Sequence, residues 1–170
     1  MSNSNIKPEI SVLFSNPTFI IPYRNHLERN FNVQWSPIPY TPPPKKVLEY
    51  VTFPFRLLNK KIRTFFSSNK ADILFVEFAD ETLALVSKIR KSKMIVTRLH
   101  RYELFKLPNA NWSVVDLVIV VNNWMARELE AKLPSLKGKI ICIPNFVDVD
   151  YWHKPNKRII NNQISIIGNI

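Results

Sequence analysis

The hexapeptide Arg98-Leu-His-Arg-Tyr-Glu103 places two guanidiniums, an imidazole, a phenol and a carboxylate at the end of an apolar run. Arginine offers a planar fork of donors to phosphate or carboxylate, and histidine donates a hydrogen bond or carries a proton near neutral pH. The set suits a phosphorylated, hydroxyl-rich ligand. Alternation along an extended backbone sends Arg98 and His100 to one side and Leu99 to the other. Two readings stand for these residues: a ligand site, or a polar loop in which Arg98 or Arg101 pairs with Glu103 or Glu77.

Other chemistries lack their residues. Gly138 and Gly168 are the two glycines, so neither a dinucleotide fingerprint nor a phosphate-cradling P-loop can be written. The histidines His26, His100 and His153 lie far apart, and the one cysteine, Cys142, gives no metal-ligand spacing. No bound metal is expected. Cys142 sits in a Val/Ile-type run, which reads as buried packing rather than as a nucleophile.

The elements that must position these residues recur as strand, helix, strand. Ile10 to Phe14, Phe31 to Trp35, Ile73 to Phe78, Met94 to Leu99, Leu117 to Val121 and Ile140 to Ile143 are dense in apolar residues with little alternation. That pattern predicts parallel strands covered on both faces. A helix opening at Asp80-Glu81 and closing on Lys88, Arg90, Lys91 and Lys93 follows the dipole, with Leu85, Val86 and Ile89 as its buried stripe. Asn122 or Asn123 caps the next helix, in which Met125, Leu129 and Leu133 recur before Pro134 and Gly138 end it. The expected fold is α/β, a Rossmann-like doubly wound parallel sheet. Ligands of such sheets sit beyond the carboxyl ends of the strands, which selects Asn16, Glu77, Arg98 to Glu103, Asn122 and Asn145.

The 170 residues are 46% apolar and 22% charged, values of a folded domain. A net charge of +11 predicts an anionic partner. Lone Cys142 suits a reducing compartment, the polar N-terminus lacks the apolar core of a secretion signal, and no run approaches the roughly 18 apolar residues of a membrane span. A cytoplasmic chain, peripheral on the inner face of the membrane, is expected.

One segment concentrates the charge. Residues 45–70 carry seven Lys or Arg and one acid, interleaved with Tyr50, Phe53, Phe55, Phe65 and Phe66, after a proline-rich linker from Pro37 to Pro44. Pro54 is expected to kink or split any helix there. Cations Lys45, Lys46, Arg56, Lys60, Lys61 and Arg63 beside aromatic anchors suit an anionic membrane surface. The competing reading is an amphipathic helix whose Leu57, Leu58, Ile62 and Phe65 pack on the sheet while its lysines are solvated. A nucleic-acid partner is not expected, since no recognised binding motif accompanies the cations.

The order Thr-Arg-Leu-His-Arg-Tyr-Glu, Val-Val-Asp-Leu-Val-Ile-Val-Val-Asn-Asn-Trp-Met, Ile-Pro-Asn-Phe-Val-Asp and Ile-Ile-Gly-Asn-Ile resembles the N-terminal half of a GT-B glycosyltransferase of the retaining family 4. The resemblance runs from Ala71 to Ile170. It implies two Rossmann-like domains across a cleft, the first binding mainly acceptor and the second a nucleotide sugar, with no metal or other cofactor. His100 matches the family histidine that faces the transferred sugar and its phosphates. Arg98, Arg101, Tyr102 and Glu103 adjoin it as substrate-binding candidates, and Asn145 matches the asparagine before the interdomain link. Phe146 stands where the family has glycine, and Ser15-Asn16-Pro17-Thr18 replaces a glycine pair, so Asn16 substitutes only in part for backbone phosphate binding.

The resulting expectation is an acceptor domain over residues 1–155, with residues 156–170 forming a linker and the first strand of a donor domain, the fragment alone being inactive. The expected reaction transfers a sugar from a nucleotide sugar to a hydroxyl acceptor, lipid-linked or a polysaccharide precursor, with retention. Alternatives are a non-catalytic module that docks on membranes or a partner through residues 45–70, and a GT-B sugar-nucleotide epimerase.

Overall fold

Each of the six apolar runs forms a strand in the computed structural model, which describes residues 7–39, 41, 44–68, 71–89 and 94–145. The strands are β1 (Glu9–Phe14), β2 (Asn32–Pro37), β3 (Ile73–Val76), β4 (Met94–Leu99), β5 (Leu117–Val120) and β6 (Ile140–Cys142). Every neighbouring pair is parallel, in the order β2-β1-β3-β4-β5-β6. The chain steps one way from β1 to β2 and the other way from β1 to β3, so the order reverses at the β1–β3 pair. In a doubly wound sheet that reversal opens a crevice at the carboxyl ends of those strands.

Among the described residues five α-helices connect the strands: α1 (Arg24–Asn30), α2 (Val47–Ser68), α3 (Glu81–Ile89), α4 (Arg101–Phe105) and α5 (Asn123–Lys132). The starts of α3 and α5 follow local capping chemistry. Asp80 Oδ1 accepts from Thr82 N at 2.6 Å, and Asn122 Oδ1 from Met125 N at 2.9 Å. Of the two asparagines offered by the sequence, Asn122 is therefore the cap of α5. Its helix ends at Leu133, a 3₁₀ turn over Pro134–Leu136 follows, and Gly138 then takes a φ of 77°. A side chain at that φ would be strained, which explains the glycine.

The sheet has two unlike faces. On one, Leu74, Val76, Ile95, Leu99, Val118 and Val120 meet Leu83 and Val86 of α3 and Met125 and Leu129 of α5. The buried side of α3 is thus Leu83 and Val86, whereas Leu85 and Ile89, expected in its stripe, are half-buried. On the other face, Val12, Phe75 and Val96 pack with Ile20, Tyr23 and Leu27, the last from short α1. This second cover reaches over the β1–β3 side and thins towards β6, where Ile141 and Ile143 are exposed. Cys142 is exposed too, contrary to the buried packing expected, because β6 closes the sheet as an edge strand.

The basic aromatic segment also departs from expectation. It forms one helix of 22 residues with Pro54 inside it, so the proline does not split it. Pro54 and Tyr50, whose carbonyl loses its partner to the proline ring, both lie on the solvent side, where water can satisfy that carbonyl. Leu58 and Ile62 do not pack on the sheet: they are 54% and 46% exposed. Lys60 is not a surface cation, being only 4% exposed and paired with Glu81 at 3.3 Å. The expected division after residue 155, the strand over 164–170, the departure at Phe146, His153, and the basic helix end at Arg90, Lys91 and Lys93 fall outside the described residues.

Candidate functional site

The carboxyl edge of β3 and β4 assembles the polar cluster. Thr97 is buried with its hydroxyl on the Val76 carbonyl at 3.0 Å, Leu99 enters the core, and alternation turns Arg98 to the opposite face. There Arg98 meets Glu77, which follows β3 and is 0% exposed. Arg98 Nη1 lies 3.4 Å from Glu77 Oε1, and Arg98 Nη2 donates to Asn145 Oδ1 at 2.8 Å. The second Glu77 oxygen accepts from the Tyr23 hydroxyl at 2.5 Å. A carboxylate removed from water needs such donors, since an unpaired buried charge is costly. Burial, then the neighbouring Glu77 charge and hydrogen bond, push the Tyr23 hydroxyl far above its ordinary range, so it remains a protonated donor.

His100 stands at the junction of β4 and α4. Its backbone N–H donates to Glu103 Oε2 at 2.8 Å, which fixes the start of α4. Its ring stacks on Phe78 at 4.6 Å between centroids and leans on Phe19 at 4.8 Å. The wedge points Nε2 inward, 3.6 Å from Glu77 Oε1, beyond hydrogen-bonding distance. Among the described residues, Nε2 of His100 and Nε of Arg98 are buried without a hydrogen-bond partner. Two buried nitrogens of one cluster are thus left for something else to satisfy, because buried polar atoms are rarely orphaned. Burial raises the Glu103 carboxyl above its ordinary value, against the partial relief of its hydrogen bonds and of His100.

Beside the cluster, a cavity of about 840 Å³ runs between the sheet and the β1–α1 connection. Phe19, Leu27, Phe75, Ile119 and Ile143 give it an apolar wall, and Arg98 and Asn145 supply polar groups. An apolar concavity with a few convergent polar groups is the usual form of a small-molecule site.

The expected residues divide accordingly. Arg98, His100 and Asn145 are brought together. Arg98 also makes the internal ion pair that the sequence offered as the competing reading, with Glu77 rather than Glu103. Arg101 is exposed, its guanidinium 5.9 Å from the Phe105 ring centroid, and Tyr102 is exposed and turned to solvent. Glu103 lies inside α4 and its carboxylate accepts from the backbone N–H of His100, the N-cap residue. Asn16 accepts from Thr18 N at 3.0 Å and caps the 3₁₀ turn Pro17–Phe19, so its side chain serves that turn. Tyr23, Phe19 and Phe78 went unread in the sequence as site residues. The one available signal was position: Phe19 and Tyr23 follow the carboxyl end of β1, and Phe78 follows β3 beside Glu77. Among the described residues no group of three or more His, Cys, Asp or Glu gathers as a metal site.

The family model described as Glycosyltransferase Family 4 matches residues 15–151, most of the chain and all of the cluster. No curated protein and no solved structure matches the chain.

Proposed function

The chain belongs to glycosyltransferase family 4, and from that premise we propose that it transfers a sugar from a nucleotide sugar to a hydroxyl acceptor with retention, the described domain forming the acceptor side. The observation that carries this reading is the pair of unsatisfied buried donors, Arg98 Nε and His100 Nε2, at the carboxyl edge of a parallel sheet. Anionic oxygens are what such donors lack.

In the transfer, the bond from the anomeric carbon to the leaving phosphate breaks while the acceptor oxygen bonds to that carbon on the same face. The departing phosphate oxygen takes the acceptor proton. Arg98 and His100 stabilise the charge that grows on the leaving group, and they act in a largely water-excluded setting where fixed donors count most. Glu77 and Tyr23 do not react. They hold Arg98 and limit its freedom, so little reorganisation is needed as charge develops. The stack on Phe78 and the contact with Phe19 do the same for the imidazole. The apolar wall of the cavity suits an acceptor with an apolar body, as a lipid-linked hydroxyl has.

The test is His100→Ala in the full-length polypeptide, assayed for transfer from a panel of nucleotide sugars. We expect turnover to fall by about 10² or more, the usual effect of removing one such donor, with the fold retained by circular dichroism. Wild-type turnover would remove His100 from the mechanism.

A further inference from the structure

Helix α2 is mounted with its apolar side outward. The side that packs on α3, β1 and β2 carries buried Lys60, Thr64 and Ser67, with Phe53 and Leu57 half-buried. Lys60 is neutralised there by Glu81, and the Thr64 hydroxyl donates to the Lys60 carbonyl at 2.8 Å. The opposite side presents Leu48, Val51, Phe55, Leu58 and Ile62, 46% to 77% exposed, spaced three and four residues apart. Over 22 residues at about 1.5 Å each, the helix is roughly 33 Å long. The stripe from Leu48 to Ile62 covers about 21 Å of that length, and a continuous apolar stripe in water marks a docking face rather than a scatter of surface residues.

Charge decides what docks. Lys61 flanks the stripe on one side and Arg56 and Arg63 on the other, with Lys45 and Lys46 before its first turn. The one acid of α2, Glu49, is occupied, accepting from Lys45 N at 2.8 Å. The three-four spacing also fits a matching helix, but in a second copy these same cations would face one another. An anionic surface meets both features, apolar side chains entering the acyl boundary and cations resting on the headgroups. We propose that α2 docks this protein on anionic lipid bilayers, lying in the plane of the interface with Val51, Phe55, Leu58 and Ile62 inserted. No helix among the described residues is long and apolar enough to cross a membrane, which leaves α2 lying on the surface. The inference is independent of the transfer reaction and is read without any activity assay.

The experiment is flotation of the full chain with vesicles of phosphatidylcholine alone or with about one third phosphatidylglycerol. Binding to the anionic vesicles, weakened by salt, with little binding to phosphatidylcholine, is expected. Lys61→Gln with Arg63→Gln should weaken it roughly twenty-five-fold, the product of two surface cations. Leu58→Ser with Ile62→Ser should abolish it and leave the thermal midpoint unchanged, since both side chains are exposed. Phe55→Trp supplies a second readout, a blue shift of emission with anionic vesicles alone. Equal binding to both vesicles, binding to neither, or a concentration-dependent dimer that Leu58→Ser with Ile62→Ser returns to monomer would overturn the proposal.

Discussion

Replacing Glu77 by glutamine tests the central electrostatic claim, that a buried carboxylate holds Arg98 in place. Glutamine keeps the size of the side chain and an oxygen for the Tyr23 hydroxyl, so packing and that 2.5 Å hydrogen bond survive. What is lost is the counter-charge of a guanidinium 7% exposed, left with Asn145 as its hydrogen-bond partner among the described residues. Stranding one member of a buried pair costs about 3–5 kcal/mol. The contact is long, 3.4 Å, so the lower end applies, about 3 kcal/mol. For a chain of this size that lowers the thermal midpoint by roughly 6–12 °C. Urea unfolding should show a lower midpoint with an unchanged slope, since the surface exposed on unfolding is the same. Arg98→Met should cost a similar amount by stranding Glu77. The double variant should be more stable than the sum of the two losses by about 2 kcal/mol, because neither remaining side chain is then a buried charge without its counter-ion. A loss below about 1 kcal/mol for Glu77→Gln, or additivity within about 0.5 kcal/mol, would refute the ion pair as the organiser of the site.

Two further outcomes follow from the same physics. Lys60 is buried while its partner Glu81 is 65% exposed, so the pair is asymmetric. Glu81→Gln should cost about 1–2 kcal/mol by leaving Lys60 uncompensated, and Lys60→Met should cost less because Glu81 is already hydrated; urea midpoints of the two variants decide it. Glu103 has its carboxyl raised by burial in the folded state. The folded state therefore holds a proton that the unfolded chain has released, and stability contributed at low pH is lost as pH rises from the ordinary glutamate value of about 4.3 through the raised one. Glu103→Gln retains an acceptor for the His100 N–H and should flatten that part of the stability profile measured by urea melts. A slope unchanged by the substitution would assign the pH dependence elsewhere.

Strands and their direction were legible because they depend on short-range composition. Runs such as Met94 to Leu99 are apolar at nearly every position, which suits a strand covered on both faces, and the intervening caps at Asp80 and Asn122 act within three residues of themselves. The same local order also put Arg98 and His100 on one side of β4. Their partners were beyond its reach. Tyr23 meets Glu77 across 54 residues and Arg98 meets Asn145 across 47, and no periodicity in a chain encodes a contact of that separation.

Helix α2 shows the division most sharply. Its sequence determined that there would be two faces, one apolar and basic-rimmed and one mixed, since a 3.6-residue period sorts side chains by angle alone. Which face turned inward was decided by the tertiary structure. Glu81 at the start of α3 neutralises Lys60, and the Lys60 carbonyl accepts the Thr64 hydroxyl, so the polar side became the buried one. Period and composition are local properties and could be read from the chain. The sign of an interface depends on what distant segments bring to it, and that is fixed only when the sheet is assembled.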